Sequence, residues 1–271
     1  MLSVDQARTR ILSSLQPVGI ESCALNQAHG RVLAHAAKAN LTQPPFPVSA
    51  MDGYAIPSSA LDQSGIRLPL AGTVAAGAKP ANSYAAEHAI RIFTGAVVPD
   101  GFTAVVAQED TDADDDHVTI NIAASPGQHI RAQGQDFAMG DIMLKPGQQL
   151  SARDIGLLSA MNVTWVKTYR RPVIGLLATG DEILMPGEPM REASIIGSSG
   201  PALEAAMTCW GCEVRNLGVV PDDLEALKSA IRNAAGVDLL VTTGGVSVGT
   251  HDLIRALMVD GAAQDDFGLA V

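Results

Sequence analysis

Aromatic residues are scarce in this chain: five Phe, three Tyr and two Trp make up 4% of 271 residues. Ala, Val, Leu and Ile therefore carry most of the apolar content, a bias that suits helices packed on a parallel sheet. Cysteine is rarer still. Cys23, Cys209 and Cys212 are too few for a disulfide framework, which excludes a cross-linked secreted scaffold and predicts a reduced, cytoplasmic setting. Positive charge is in deficit, with 18 Lys and Arg against 29 Asp and Glu and a net charge of −11. Such a surface repels phosphate backbones at long range, so nucleic acid is excluded as a general partner. No apolar run approaches the roughly 20 residues that span a bilayer, and the Met1-Leu2-Ser3 start lacks the basic and apolar segments of a signal peptide. No internal repeat is present. What is plentiful is core material: 47% hydrophobic against 17% charged, in a length that suggests one or two domains, with two favoured.

Along the chain, Ser3 and Gln6 fit a capping box, and Val4, Ala7, Ile11, Leu12 and Leu15 recur at helical spacing, which predicts an N-terminal helix. A short helix or turn is expected over 29–34. Gln43-Pro44-Pro45-Phe46-Pro47 cannot be interior helix or central strand and marks a boundary. From about Ala50 to Gly134, short apolar runs (89–93, 104–107 and 117–122) are broken by turn residues, which predicts a small, mostly β unit. The acidic run 112–116 is expected to be a solvated hairpin turn. Residues 151–160 return to helix and are expected to rejoin the N-terminal helix, leaving the β unit as an insertion. After Arg171-Pro172 the rhythm alternates, with strands at 173–178, 213–219 and 238–242 and helices at 201–210, 224–235 and 251–258. Gly211 and Gly236 fall where helix C-terminal glycines belong. The pattern predicts βαβ units on a parallel sheet.

Chemistry concentrates at the ends of those strands. The run Asp238-Leu239-Leu240-Val241-Thr242-Thr243-Gly244-Gly245-Val246-Ser247-Val248-Gly249 carries a buried strand into a glycine loop ahead of a helix. Glycines there admit close backbone approach, and free N–H groups favour an anion. At Thr179-Gly180-Asp181-Glu182, two carboxylates follow a strand and a turn and can hold a divalent cation. Asp222 reads as a helix N-cap with Glu225 three residues on, and Asp252 sits in the first turn of the expected last helix. Cys209-Trp210-Gly211-Cys212 closes a helix rather than opening one and has no second pair to complete a zinc site, so it is read as core. On residue chemistry alone, Ser49-Ala50-Met51-Asp52-Gly53-Tyr54-Ala55, Phe93-Thr94-Gly95-Ala96 and Arg131-Ala132-Gln133-Gly134-Gln135-Asp136 read as turns.

Taken together, the ordered segments HGRVLA, PPFPVSAMDGYA, RIFTGAVVP, VVAQED, GQHIRAQGQD, GLLSAMNV, RRPVIGLLATGDEIL, GCEVRNLGVVPDD and DLLVTTGGVSVGTHD resemble the molybdopterin molybdenumtransferase family, which includes the bacterial enzyme and the E domain of gephyrin. The resemblance implies a multidomain α/β protein. Its parts are an N-terminal helical linker domain over 1–43, completed by about 137–168, a β-rich lid over 44–136, and an α/β molybdopterin-binding domain over 169–271. It implies a homodimer whose active site is shared between subunits. Asp52, Thr94, Gly95 and Asp136 lie on the lid side. Glu182, Asp222 and Asp252 lie on the α/β side with Thr179, Gly180 and Asp181, and Gly244, Gly245, Val246, Ser247 and Gly249 form the pterin-phosphate loop. The implied catalytic carboxylates are Asp52, Asp136, Glu182, Asp222 and Asp252, and the implied reaction transfers molybdenum from molybdate to adenylylated molybdopterin with loss of AMP. Carboxylates facing two anions repel them unless a cation intervenes, so Mg²⁺ is the expected mediator, with its ligands left open.

Two departures from the family pattern stand out. Gly197-Ser198-Ser199 replaces the usual Asp-Ser/Thr-Asn, so an acid and an amide are absent where substrate contacts are expected. Family members also continue past the position of Val271 with a Pro-Gly-Lys-Pro segment, a Gly-Leu-Pro-Gly-Asn-Pro loop and a C-terminal β domain, which implies an α/β domain incomplete at its C-terminus. The alternatives to an active transferase are a non-catalytic binding or scaffold module and an inactive truncated remnant of the same family. A generic nucleotide-binding protein is disfavoured, since neither G-x-G-x-x-G nor G-x-x-x-x-G-K-[ST] occurs.

Overall fold

A computed structural model describes residues 2–81, 83–85 and 87–244. The chain divides into two compact units. A β-rich unit comprises Ala36–Lys145 and Ala152–Thr164. The other draws on the chain up to His35, on Pro146–Ser151 and on residues from Trp165 onward.

The β-rich unit is built on a six-stranded sheet in the order Phe102–Ala107, Gly53–Pro57, Ala89–Ile92, Ile66–Val74, His117–Ile120, Thr111–Ala113. Neighbours are antiparallel except Ile66–Val74 beside Ala89–Ile92, which run parallel. Side chains alternate between two cores. Tyr54, Ile56, Val106, Val118 and Ile120 pack on one face, and Ala55, Val105, Ile90 and Ile92 on the other. A strand buried on both faces reads as a continuous apolar run, which is why 89–93 and 104–107 stood out in the sequence. Ile66–Val74 did not, because it contains Pro69. The proline is tolerated because residues 66–69 pair with His117–Ile120 alone, and pairing with Ala89–Ile92 begins at Leu70. The acidic run is a hairpin turn as expected: the Asp114 carboxylate accepts the N–H groups of Asp116 and His117. Helix Ala152–Ala160 belongs to this unit and buries Leu158.

In the other unit, helix Val4–Ser14 begins at the expected capping box, with Ser3 and Gln6 satisfying each other's backbone N–H groups. Strand Ile20–Ala24 pairs antiparallel with Trp165–Tyr169. The short helix or turn expected at 29–34 resolves into a turn followed by extended chain: Val32 bridges to Gln149 and Leu33 to Thr168. Gly147 donates to the Leu33 carbonyl at 2.7 Å. The segments that rejoin the N-terminal part of the chain are thus Pro146–Ser151 and Trp165–Tyr169, not the 152–160 helix.

The α/β portion has Val173–Thr179 at the centre of a three-stranded parallel sheet, flanked by Glu213–Val220 and Leu239–Thr243. Helices Ser199–Cys209 and Leu224–Asn233 accompany it, and Leu177 and Leu227 anchor its core. The cap of Leu224–Asn233 is Asp223, whose side chain accepts the Ala226 N–H at 2.9 Å. Asp222, the expected cap, is displaced by one residue because Asp223 holds the extended backbone that places its carboxylate over the first turn. Among the described residues, no helix is long and apolar enough to cross a membrane.

Arg170 grips both oxygens of Asp238 at the start of the last described strand, and Asp238 also accepts the Val173 N–H at 2.7 Å. Arg170 first, then the Val173 N–H and the Arg170 charge, hold the Asp238 carboxyl below its usual range, against an opposing effect of burial. A carboxyl depressed in the folded state adds stability above its unfolded pKa, and that stability fades as pH falls through the folded value. Asp238→Asn is expected to cost about 1–3 kcal/mol at neutral pH. The deficit should shrink below about pH 3.8 in urea titrations of both proteins. A pH-independent deficit would show that the charge contributes nothing.

Candidate functional site

Asp52 immediately precedes the Gly53–Pro57 strand, and Thr94 follows the neighbouring strand Ala89–Ile92. The register Gly53↔Ile92 brings the two together, so that Asp52 Oδ1 accepts both the Thr94 N–H at 2.8 Å and its hydroxyl at 2.7 Å. Those two bonds lower the Asp52 carboxyl below its ordinary range against a smaller opposing effect of desolvation, and the Arg91 charge adds the smallest pull. Asp52 is thus an exposed, ionised carboxylate held in one orientation. Gly95 completes the turn with a left-handed backbone and donates to Ser49 O at 2.8 Å. Val48–Ser49 also pairs with Ile130–Arg131, and Ala50 donates to His129 O. Five residues beyond Arg131, Asp136 receives Arg131 Nη2 on both oxygens at 2.6 and 2.8 Å. The 48–52 segment thereby carries one fixed carboxylate of its own and borders an Arg–Asp pair.

The second locus is a cleft of about 170 Å³ at the carboxyl ends of the three parallel strands, lined by Thr179, Glu182, Ser199, Asn216, Thr243 and Gly244 among others. Its position follows from topology. From the central strand the chain first runs to Glu213–Val220 on one side and then to Leu239–Thr243 on the other. Where connections diverge in this way, the strand ends leave a crevice, the usual ligand position in open α/β sheets. Thr179 ends the central strand and is 4% exposed, and its hydroxyl has no partner among the described residues. Gly244 packs so closely that a Cβ there would lie 2.5 Å from Thr179 O, and its φ is +90°. Gly180, buried with φ +139°, turns the chain toward exposed Asp181 and Glu182. Asp181 Oδ1 accepts the Asp222 N–H at 3.3 Å, which joins two strand ends. Asn216 bonds Glu204 and the Gly218 N–H.

The structure therefore groups Asp52 with Thr94 and Gly95, sets Asp136 on Arg131, and groups Thr179, Gly180, Asp181, Glu182, Asp222 and Gly244 around the sheet's carboxyl edge. Gly245, Val246, Ser247, Gly249 and Asp252 lie outside the described residues. Arg91, Arg131 and Asn216 were not given a role in the site by the sequence, although Arg131 heads the expected 131–136 turn. Arg131 had a usable signal, lying five residues before Asp136 in a short apolar-flanked run. The core expectation for the 209–212 pair is corrected in part. Cys209 is exposed at a helix end, whereas Cys212 is half-buried and burial pushes its thiol upward.

A family profile described as the MoeA N-terminal region (domain I and II) matches residues 2–162, more than half of the chain. The chain belongs to the MoeA family. A second profile, a probable molybdopterin binding domain, matches residues 175–265, the stretch that builds the cleft. Among MoeA relatives, the molybdopterin molybdenumtransferase of Haemophilus influenzae is 36% identical over 261 residues, covering 95% of this chain and 64% of that protein. Gephyrin of Dictyostelium discoideum is 31% identical over 288 residues, covering 95% and 40%. A solved structure of the molybdopterin biosynthesis MoeA protein from Pyrococcus horikoshii matches with a TM-score of 0.83 at 28% identity, covering 90% of this chain and 66% of that one. The chain spans 64% of the Haemophilus relative and 56% of a Nostoc one, under two thirds of either.

Proposed function

We propose that this chain acts in molybdenum cofactor synthesis as a molybdopterin molybdenumtransferase. It takes adenylylated molybdopterin and molybdate, releases AMP, and leaves molybdenum on the dithiolene sulfurs. The observation that carries the reading is the cleft at the divergence point of the parallel sheet, inside the segment matched as molybdopterin-binding and lined by Thr179, whose buried hydroxyl has no partner among the described residues. In this reading Thr179, Gly180 and Gly244, continued by Gly245, Val246, Ser247 and Gly249, receive the pterin and its phosphate. Glu182, Asp222 and Asp252 orient molybdate and the adenylate.

Among the described residues no three His, Cys, Asp or Glu side chains converge as a metal cage. Exposed Asp181 and Glu182 nevertheless offer hard oxygen donors, which fits Mg²⁺ held by one or two carboxylates together with water and substrate oxygens. Bound there, the ion supplies positive charge between the acidic edge and the anionic substrates. We further propose that the chain is a cytoplasmic homodimer, with residues 44–136 as a lid and 1–43 with about 137–168 as its linker. The lid presents Asp52, Thr94, Gly95 and Asp136 to the α/β cleft of the partner copy.

The test is molybdate-dependent AMP release from adenylylated molybdopterin by the purified chain with Mg²⁺. Release supports the transferase reading. Pterin binding without release would replace it with a non-catalytic binding module. Thr179→Val separates the hydroxyl's role from its shape. It is expected to leave unfolding stability unchanged or slightly raised, because the buried oxygen it removes has no partner among the described residues, yet to weaken pterin binding about 2- to 10-fold. Unchanged affinity by calorimetry would remove Thr179 from the site.

A further inference from the structure

Arg91 sits in the β-rich unit opposite Tyr54 in the sheet register, with its guanidinium 4.9 Å from the Tyr54 ring centroid and 5.1 Å from that of Phe93. Among the described residues it forms no ion pair with an acid. A planar cation held close over two rings loses little further freedom when it bonds, so it makes a rigid support. Its bonds converge on the backbone around one residue. Nη1 donates to Gly53 O at 3.4 Å, immediately after Asp52, and Nη2 donates to Gln108 Oε1 at 2.5 Å. The Gln108 N–H in turn donates to the carbonyl of Asp52 itself at 3.0 Å. Phe93, under the guanidinium, is the residue before Thr94, which holds the Asp52 carboxylate. The clamp therefore touches the chain before Thr94, the residue after Asp52, and the group bonded to the backbone of Asp52.

We propose that Arg91 is a positioning residue that holds the Asp52 carboxylate against Thr94, acting through Gly53, Gln108 and the paired rings of Tyr54 and Phe93. The functional weight of this clamp rests on the transferase reading above, but the clamp itself does not. Held in this way, the carboxylate meets a substrate already oriented, and none of its alignment has to be found during turnover.

The test reads the Asp52–Thr94 bond directly. An amide donating to a carboxylate resonates downfield, so the Thr94 amide proton is the reporter in NMR spectra of the full chain. Arg91→Met is expected to move that resonance upfield and speed its exchange at least tenfold, Arg91→Lys to restore part of the shift, and Gln108→Ala to reproduce part of the loss. Should Arg91→Met fail to fold, Gln108→Ala decides, since it cuts one limb of the clamp and leaves the stacked cation in place. A Thr94 amide unmoved in a folded Arg91→Met, or in Gln108→Ala when that is the only folded variant, overturns the proposal. In an active protein, Arg91→Met is expected to lower kcat at least tenfold with KM changed by less than about threefold. An equal loss through KM alone would assign Arg91 to substrate binding instead and overturn the positioning role. A wild-type chain without AMP release sinks the transferase reading, while the amide experiment still returns its own answer on Arg91.

Discussion

Replacing Gly53 with alanine is expected to destabilise the β-rich unit by about 3 kcal/mol or more, enough to unfold it in a marginal background. The strand carrying Gly53 lies between Phe102–Ala107 and Ala89–Ile92, so it cannot move aside without breaking a ladder. A Cβ at Gly53 would sit 1.9 Å from Val106 O, 2.9 Å from Val106 C and 3.0 Å from Ala107 Cα. These are backbone atoms, which no rotamer change can withdraw. Gly65→Ala is the matched comparison. Its φ is +76° and nothing lies within 4 Å of the added carbon, so it should cost only the left-handed backbone penalty of about 1–2 kcal/mol. Urea unfolding followed by a probe in each unit would show the difference. A Gly53→Ala loss below that of Gly65→Ala would mean that the two strands separate more easily than their register implies.

On the proposed transferase reading, Asp52→Ala is expected to lower the rate of AMP release by about 10²- to 10⁴-fold, the usual range for removing one positioned acid–base group. The argument rests on preparation: Thr94 supplies two donors to one oxygen, so the charged form is favoured and its direction fixed. Because the folded carboxyl lies below its ordinary value, Asp52 stays ionised to lower pH than a free aspartate, and the rate should show no decline from this group between about pH 8 and 5. Asp52→Asn keeps an acceptor for Thr94 while losing the charge, so its loss measures the charge alone. Asp115→Ala, in the hairpin turn, should leave the rate unchanged. An active Asp52→Ala protein would remove Asp52 from the catalytic set and leave it as a turn residue.

How far the sequence reached depended on the range of the physics involved. The Ser3–Gln6 cap, the parallel strands after Arg171-Pro172 and the hairpin at Asp114 are set by neighbours within a few residues, and each was legible. Asp222 and Asp223 show the limit of local reading. Both can cap a helix, and only the backbone angle at residue 223 decides between them. Ile66–Val74 was hidden because Pro69 argues against a strand unless the partner on each side is known. The Arg91 clamp was not legible, since its parts lie at 53–54, 91–94 and 108 and meet through a register that no periodicity announces. Thr179 and Gly244 were found because strand ends carry their own signal, whereas the burial of the Thr179 hydroxyl is a three-dimensional fact.

The pairing of Ile20–Ala24 with Trp165–Tyr169 has a consequence for synthesis. Ser22 and Lys167, bonded at 2.7 Å across that ladder, are separated by 145 residues. At ordinary ribosomal speeds the first strand waits roughly 7–30 s for its partner to be made. During that interval the β-rich sheet, complete by Ile120, has its strands in hand, while the nascent chain trails an N-terminal segment with an unmatched backbone. Slowing translation downstream of residue 120 lengthens that exposed interval and is therefore expected to lower soluble expression rather than raise it.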